Sequence, residues 1–95
     1  MYLADVFYDV SHEANAARNK FGEQSDLTDL EWLAVLAEEF GEAAMDVTKR
    51  CVRPVNLGPD DPTEEDLIVE VLQVAAVAMR WLRAIDIRRN GVIAP

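Results

Sequence analysis

Apolar residues recur along most of this chain at intervals of three and four, the period of a helix with one greasy side. Leu3, Val6, Phe7, Val10, Ala14 and Ala17 form a first stripe, Phe21 extends it, and Gly22 is a stop signal. Glu23 to Leu27 reads as a connection. A second helix opens at Thr28, because Thr28-Asp-Leu-Glu31 fits a capping box in which hydroxyl and carboxylate satisfy free amides at the helix start. Leu33, Leu36, Phe40, Ala43, Ala44 and Val47 are its expected apolar face, and Pro54 ends it by Arg53. Residues 54–62 hold three prolines and a glycine and are expected to form a surface loop.

A third helix is predicted from Thr63 to about Arg89, stopping at Asn90-Gly91. Glu64, Glu65 and Asp66 suit the positive end of its dipole, and Arg83, Arg88 and Arg89 the negative end. No segment of useful length has the two-residue period of a strand. The class is all-α, with three main helices in a single domain spanning 1–95. Between Leu67 and Met79 the third helix is apolar all round except at Glu70 and Gln73. Two partner helices cover only part of a helix's circumference, so a homo-oligomer is expected to complete the bundle, as a homodimer or a dimer of dimers.

Composition narrows the function. Eighteen acidic residues against nine basic ones give a net charge of −9, which opposes binding to a nucleic-acid polymer or an anionic membrane. The longest apolar run is well short of the roughly 20 residues that span a bilayer. A lone cysteine, Cys51, makes no intrachain disulfide and no cysteine-based zinc site. The first residues carry acids and no basic stretch, unlike a secretory signal, so a cytoplasmic setting is expected.

The candidate chemistry lies in two acidic groups. Glu38-Glu39-x-x-Glu42 interrupts the second helix, and Glu70-x-x-Gln73 interrupts the third. Glu39 and Glu42 lie about 60° apart on one side of their helix, with Asp46 and Lys49 continuing that line. Acidic runs on helices are commonly solvated faces. Glu70 differs, because a carboxylate on an apolar helix is costly unless it is paired or binds a cation. An ion pair with Arg80 of a second chain is the structural alternative. Packed side by side, the two helices bring together the oxygen-rich donor set that hard ions such as Mg²⁺ or Mn²⁺ take.

This pattern resembles the MazG-like all-α NTP pyrophosphohydrolase superfamily, which holds Mg²⁺ with E-E-x-x-E on one helix and E-x-x-D on the next. Lys20-Phe-Gly-Glu-Gln24, Trp32, VLAEEFGEAA and EVLQVAAVAMRWL look like its compact phage- and actinobacterial-type branch, over roughly residues 10 to 86. Glutamine commonly takes the last motif position in that branch, as Gln73 does here. The resemblance implies Glu39, Glu42, Glu70 and Gln73 as metal ligands, and Glu38 as a further ligand or the group that orients or deprotonates the attacking water. It also implies hydrolysis of a nucleoside triphosphate, or a related nucleotide, to the monophosphate and pyrophosphate. Gln73, being neutral, binds an ion more weakly than the family's aspartate.

Such a substrate needs basic groups for its phosphates and a surface for its base. Lys49, Arg50 and Arg53 at the end of the second helix, with Lys20 and Arg80, are the basic candidates. Phe21 and Trp32 are candidates for stacking and Gln24 for hydrogen bonding, although an aromatic near a helix start is commonly core. A di-iron carboxylate bundle wants Glu-x-x-His pairs, which are missing, and His12 and Cys51 have no pattern that makes a triad. The competing reading is a non-enzymatic helical adaptor or regulatory homodimer on the same fold.

Overall fold

The computed structural model describes residues 5–51 and 62–91, and these form three helices. They are α1 (Val6–Phe21), α2 (Asp29–Cys51) and α3 (Glu64–Asn90). The described residues contain no strand. Most of the expected proline-rich loop lies outside them, as does Leu3.

Local chemistry sets each boundary. Asp5 caps α1 by accepting from the Tyr8 amide at 3.0 Å. Gly22 ends α1 with φ +83°, and its N–H closes on the Arg18 carbonyl at 2.8 Å. That left-handed backbone suits a residue without a Cβ. Thr28 and Glu31 make the expected capping box, with reciprocal bonds of 3.0 and 3.1 Å. A second box stands at α3, where Thr63 and Asp66 exchange bonds of 2.8 and 3.1 Å. Gly91 closes α3 as Gly22 closes α1.

Helix α3 is the spine. It packs against α1 on one side and α2 on another, while α1 and α2 do not pack on each other among the described residues. The core is correspondingly small. Trp32, Val77 and Ala84 are its buried centre, with Leu27, Val35, Leu36 and Trp81 packed against them. Ala14, Leu72 and Ala76 are buried elsewhere along the spine.

The expected inward face of α2 needs correction. Leu33, Phe40 and Val47 face outward, with Phe40 64% exposed, and Trp32 and Ala43 are the buried positions. The reason is geometric: among the described residues α2 meets only α3, so one narrow stripe is covered. On α1 likewise, Ala14 is buried while Val6, Phe7 and Phe21 are exposed. An apolar groove of about 510 Å³ runs between α2 and α3, lined by Phe40, Val47, Leu67, Val71 and Val74. A second groove of about 270 Å³, between α1 and α3, shares Leu67 and Val71 with the first.

Candidate metal centre

The stripe of α2 that meets α3 carries acids as well as the core residues. Glu39 is half-buried, and Glu42 follows it by one turn, exposed at the edge of the contact. From α3, the half-buried Glu70 meets them. One carboxylate oxygen from each of Glu39, Glu42 and Glu70 lies within 4.8 Å of the other two. Two acidic groups separated by 28 positions in sequence therefore meet at one point. Oxygens in a Mg²⁺ shell of about 2.1 Å radius stand roughly 3–4 Å apart, a spacing that falls inside the 4.8 Å bound on the trio.

The electrostatics follow from that crowding. Glu70 is held above the ordinary carboxylate range. Burial contributes most, then its hydrogen bond with Glu42, then the negative charges of Glu42, Asp46 and Glu39. Glu39 is raised too, chiefly by burial and then by Glu42 and Glu38. An all-oxygen donor set whose charges oppose one another suits a hard divalent cation, which would relieve the repulsion. Beside Glu70 opens a cleft of about 290 Å³, lined by Asp46, Lys49, Pro62, Asp66 and Val69.

The other expected site residues are distributed less simply. Glu38 is exposed next to the trio and acts on Glu39 through its charge. Gln73 turns toward α1, where its amide donates to Glu13 Oε2 at 3.1 Å. A three-residue step rotates a side chain by about 60° around the helix, which carries Gln73 from the α2 side to the α1 side. Lys49 lines the cleft, whereas Arg50 is half-buried with its Nε enclosed.

Lys20 and Phe21 stand at the exposed end of α1, the ammonium 5.1 Å from the ring centroid. Neither lines the cleft beside Glu70. Gln24, with φ +54°, accepts a hydrogen bond from Arg80. Trp32 is 1% exposed, and the Arg80 guanidinium lies 5.3 Å from its ring centroid. The expectation that Trp32 stacks on a base therefore gives way to a core role, since no ring face is open. Within the chain Arg80 meets Gln24 and the Trp32 ring. Glu13 carries no motif in the sequence; only the α1–α3 contact singles it out.

Compared with models of protein families, with curated proteins and with solved structures, the chain matches none. No helix among the described residues is long and apolar enough to cross a membrane.

Proposed function

We propose that this chain is a Mg²⁺-dependent nucleotide pyrophosphohydrolase that works as a homo-oligomer, most simply a dimer. The observation that carries the reading is the convergence of Glu39, Glu42 and Glu70 from two helices. The sequence resemblance supplies the reaction: cleavage of a nucleoside triphosphate, or a related nucleotide, to the monophosphate and pyrophosphate. Glu39, Glu42 and Glu70 would hold the ion, with Mn²⁺ as an alternative. When bound, the metal supplies positive charge for the phosphates and a water of lowered pKa.

The chain's own residues supply the rest. Glu38, exposed and ionisable beside the trio, is assigned to orient the attacking water and accept its proton. Lys49 is assigned to the phosphates, because it lines the cleft that Glu70 borders. Its ammonium opposes the charge that develops on departing pyrophosphate. Gln73 is left out of the ligand set, since it is engaged with Glu13.

Self-association is supported by the apolar surface. Phe40, Val47, Val71 and Leu82 all stay exposed in a single chain. The continuous trough over Leu67 and Val71 is the natural place for a second copy. The alternative, a non-enzymatic helical homodimer, draws support from the Gln73–Glu13 bond, which takes a fourth oxygen donor away from the trio.

A panel of ribo- and deoxyribonucleoside triphosphates, assayed for pyrophosphate release with Mg²⁺ and with Mn²⁺, separates the two. Metal-dependent release that is lost on chelation supports the hydrolase. No release from any nucleotide with either metal favours the adaptor.

A further inference from the structure

On the side of α3 that meets α1, three of the chain's seven arginines border one cavity. It has a volume of about 290 Å³ and is lined by Ser11, Asn15, Arg18, Met79, Arg80 and Arg83, with no carboxylate in its wall among the described residues. Arg80 and Arg83 are one turn apart on α3, and Arg18 comes from α1. All three are half-buried. Such a concentration of positive charge is unexpected on a chain of net charge −9.

The protein satisfies these guanidiniums incompletely. Each carries five N–H donors, and among the described residues each has one side-chain acceptor. Arg18 donates to Asn15 Oδ1 at 2.7 Å, Arg80 to Gln24, and Arg83 to Glu23 Oε1 at 2.5 Å. Of these acceptors only Glu23 is charged. Arg80 Nε is enclosed with no acceptor, and burial disfavours the charge on Arg80. Three like charges gathered around a cavity with one counterion favour an anion inside it.

We infer that this cavity is a binding site for a phosphate group, carried by inorganic phosphate, pyrophosphate or a small phosphorylated molecule. Planar guanidiniums from two helices make paired hydrogen bonds to a tetrahedral oxyanion, and the Ser11 hydroxyl and Asn15 amide add neutral donors. The site is separate from the acidic trio. Arg80 lies about 15 Å along α3 from Glu70, and Arg83 about 140° around the helix from it. It needs no metal, and it does not rest on the hydrolase reading.

The test uses the full chain in chelator at low ionic strength, titrated with inorganic phosphate, pyrophosphate and a nucleoside monophosphate. Amide NMR or calorimetry reports binding. Saturable binding in wild type is expected, with pyrophosphate tighter than phosphate. The monophosphate arm shows whether an esterified phosphate is also taken. Arg18→Gln should weaken binding on the order of tenfold, about 1.4 kcal/mol, and Arg83→Gln similarly, with Glu70→Gln unchanged. Arg18→Gln carries the result if Arg83→Gln, which breaks the Glu23 pair, disturbs the helix content. Absence of binding by metal-free wild type overturns the assignment. So does Arg18→Gln binding as tightly as wild type, or loss of binding in Glu70→Gln.

Discussion

Glu70 of α3 and Glu42 of α2 bring carboxylate oxygens within 4.8 Å of each other across the helix contact, and that closeness is one reason Glu70 holds its proton more tightly than an ordinary glutamate. Two ionised carboxylates this close repel one another, and protonating one relieves the repulsion. Without a cation, the pair is therefore a point of tension between α2 and α3.

Glu70→Gln should stabilise the metal-free protein. A carboxyl whose folded pKa lies above its unfolded value opposes folding when ionised, and this penalty is relieved as pH falls toward the raised value. In chelator near pH 7.5, the variant should melt roughly 2–4 °C above wild type, with the gap narrowing as the pH is lowered. A variant that melts below wild type throughout would remove the tension argued above.

Trp32 should prove to be the largest single contributor to the core. Its ring is enclosed by Val77, Ala84, Leu36 and the Arg80 guanidinium. Trp32→Ala should cost about 3–5 kcal/mol in urea unfolding, and Trp32→Phe less, because the aromatic volume is largely kept. A cost below about 1 kcal/mol for alanine would mean that the ring is not core.

Acid should weaken the tie between the start of α2 and the end of α3. Asp29 accepts from Trp81 Nε1 and Arg88 Nη1, each at 3.0 Å. These two hydrogen bonds hold its carboxyl below the ordinary value of 3.8. A depressed acid contributes stability that is fully present above the unfolded value and lost as pH falls through the folded one. Asp29→Asn should therefore lower the urea midpoint at pH 7, with the deficit shrinking at strongly acidic pH. An equal deficit at both pH values would exclude the charge as the cause.

The apolar trough makes a prediction about assembly. Wild type should behave in light scattering as a multiple of the 10.6 kDa chain. Val71→Lys and Phe40→Lys, which place charge on the exposed wall of the groove, should each shift it to monomer with helix content preserved. A monomeric wild type at high micromolar concentration would refute self-association through this surface.

The elements were almost fully legible from residue pattern, because their ends are fixed locally. Thr28 with Glu31, Gly22 and Gly91 act over three or four residues, and such signals survive any tertiary arrangement. The facing of α2 was not. Its apolar residues cover two stripes, and periodicity alone does not say which one a single chain buries; the Trp32 side meets α3 while the Leu33–Phe40 side is left bare. The acidic trio was legible because Glu70 interrupts an apolar run. The turning of Gln73 toward Glu13, and the gathering of Arg18 with Arg80 and Arg83, depend on how α1 lies on α3. No spacing within one helix encodes that.

The most direct measurement is calorimetric titration of Mg²⁺ and Mn²⁺ into the chelator-stripped full chain, beside Glu42→Gln and Glu70→Gln, with circular dichroism confirming helix content. Glu39, Glu42 and Glu70 acting as one ligand set predicts saturable binding by wild type and at least roughly tenfold weaker binding by each variant. Wild type that takes up neither ion, or variants that bind as tightly as wild type, would contradict it.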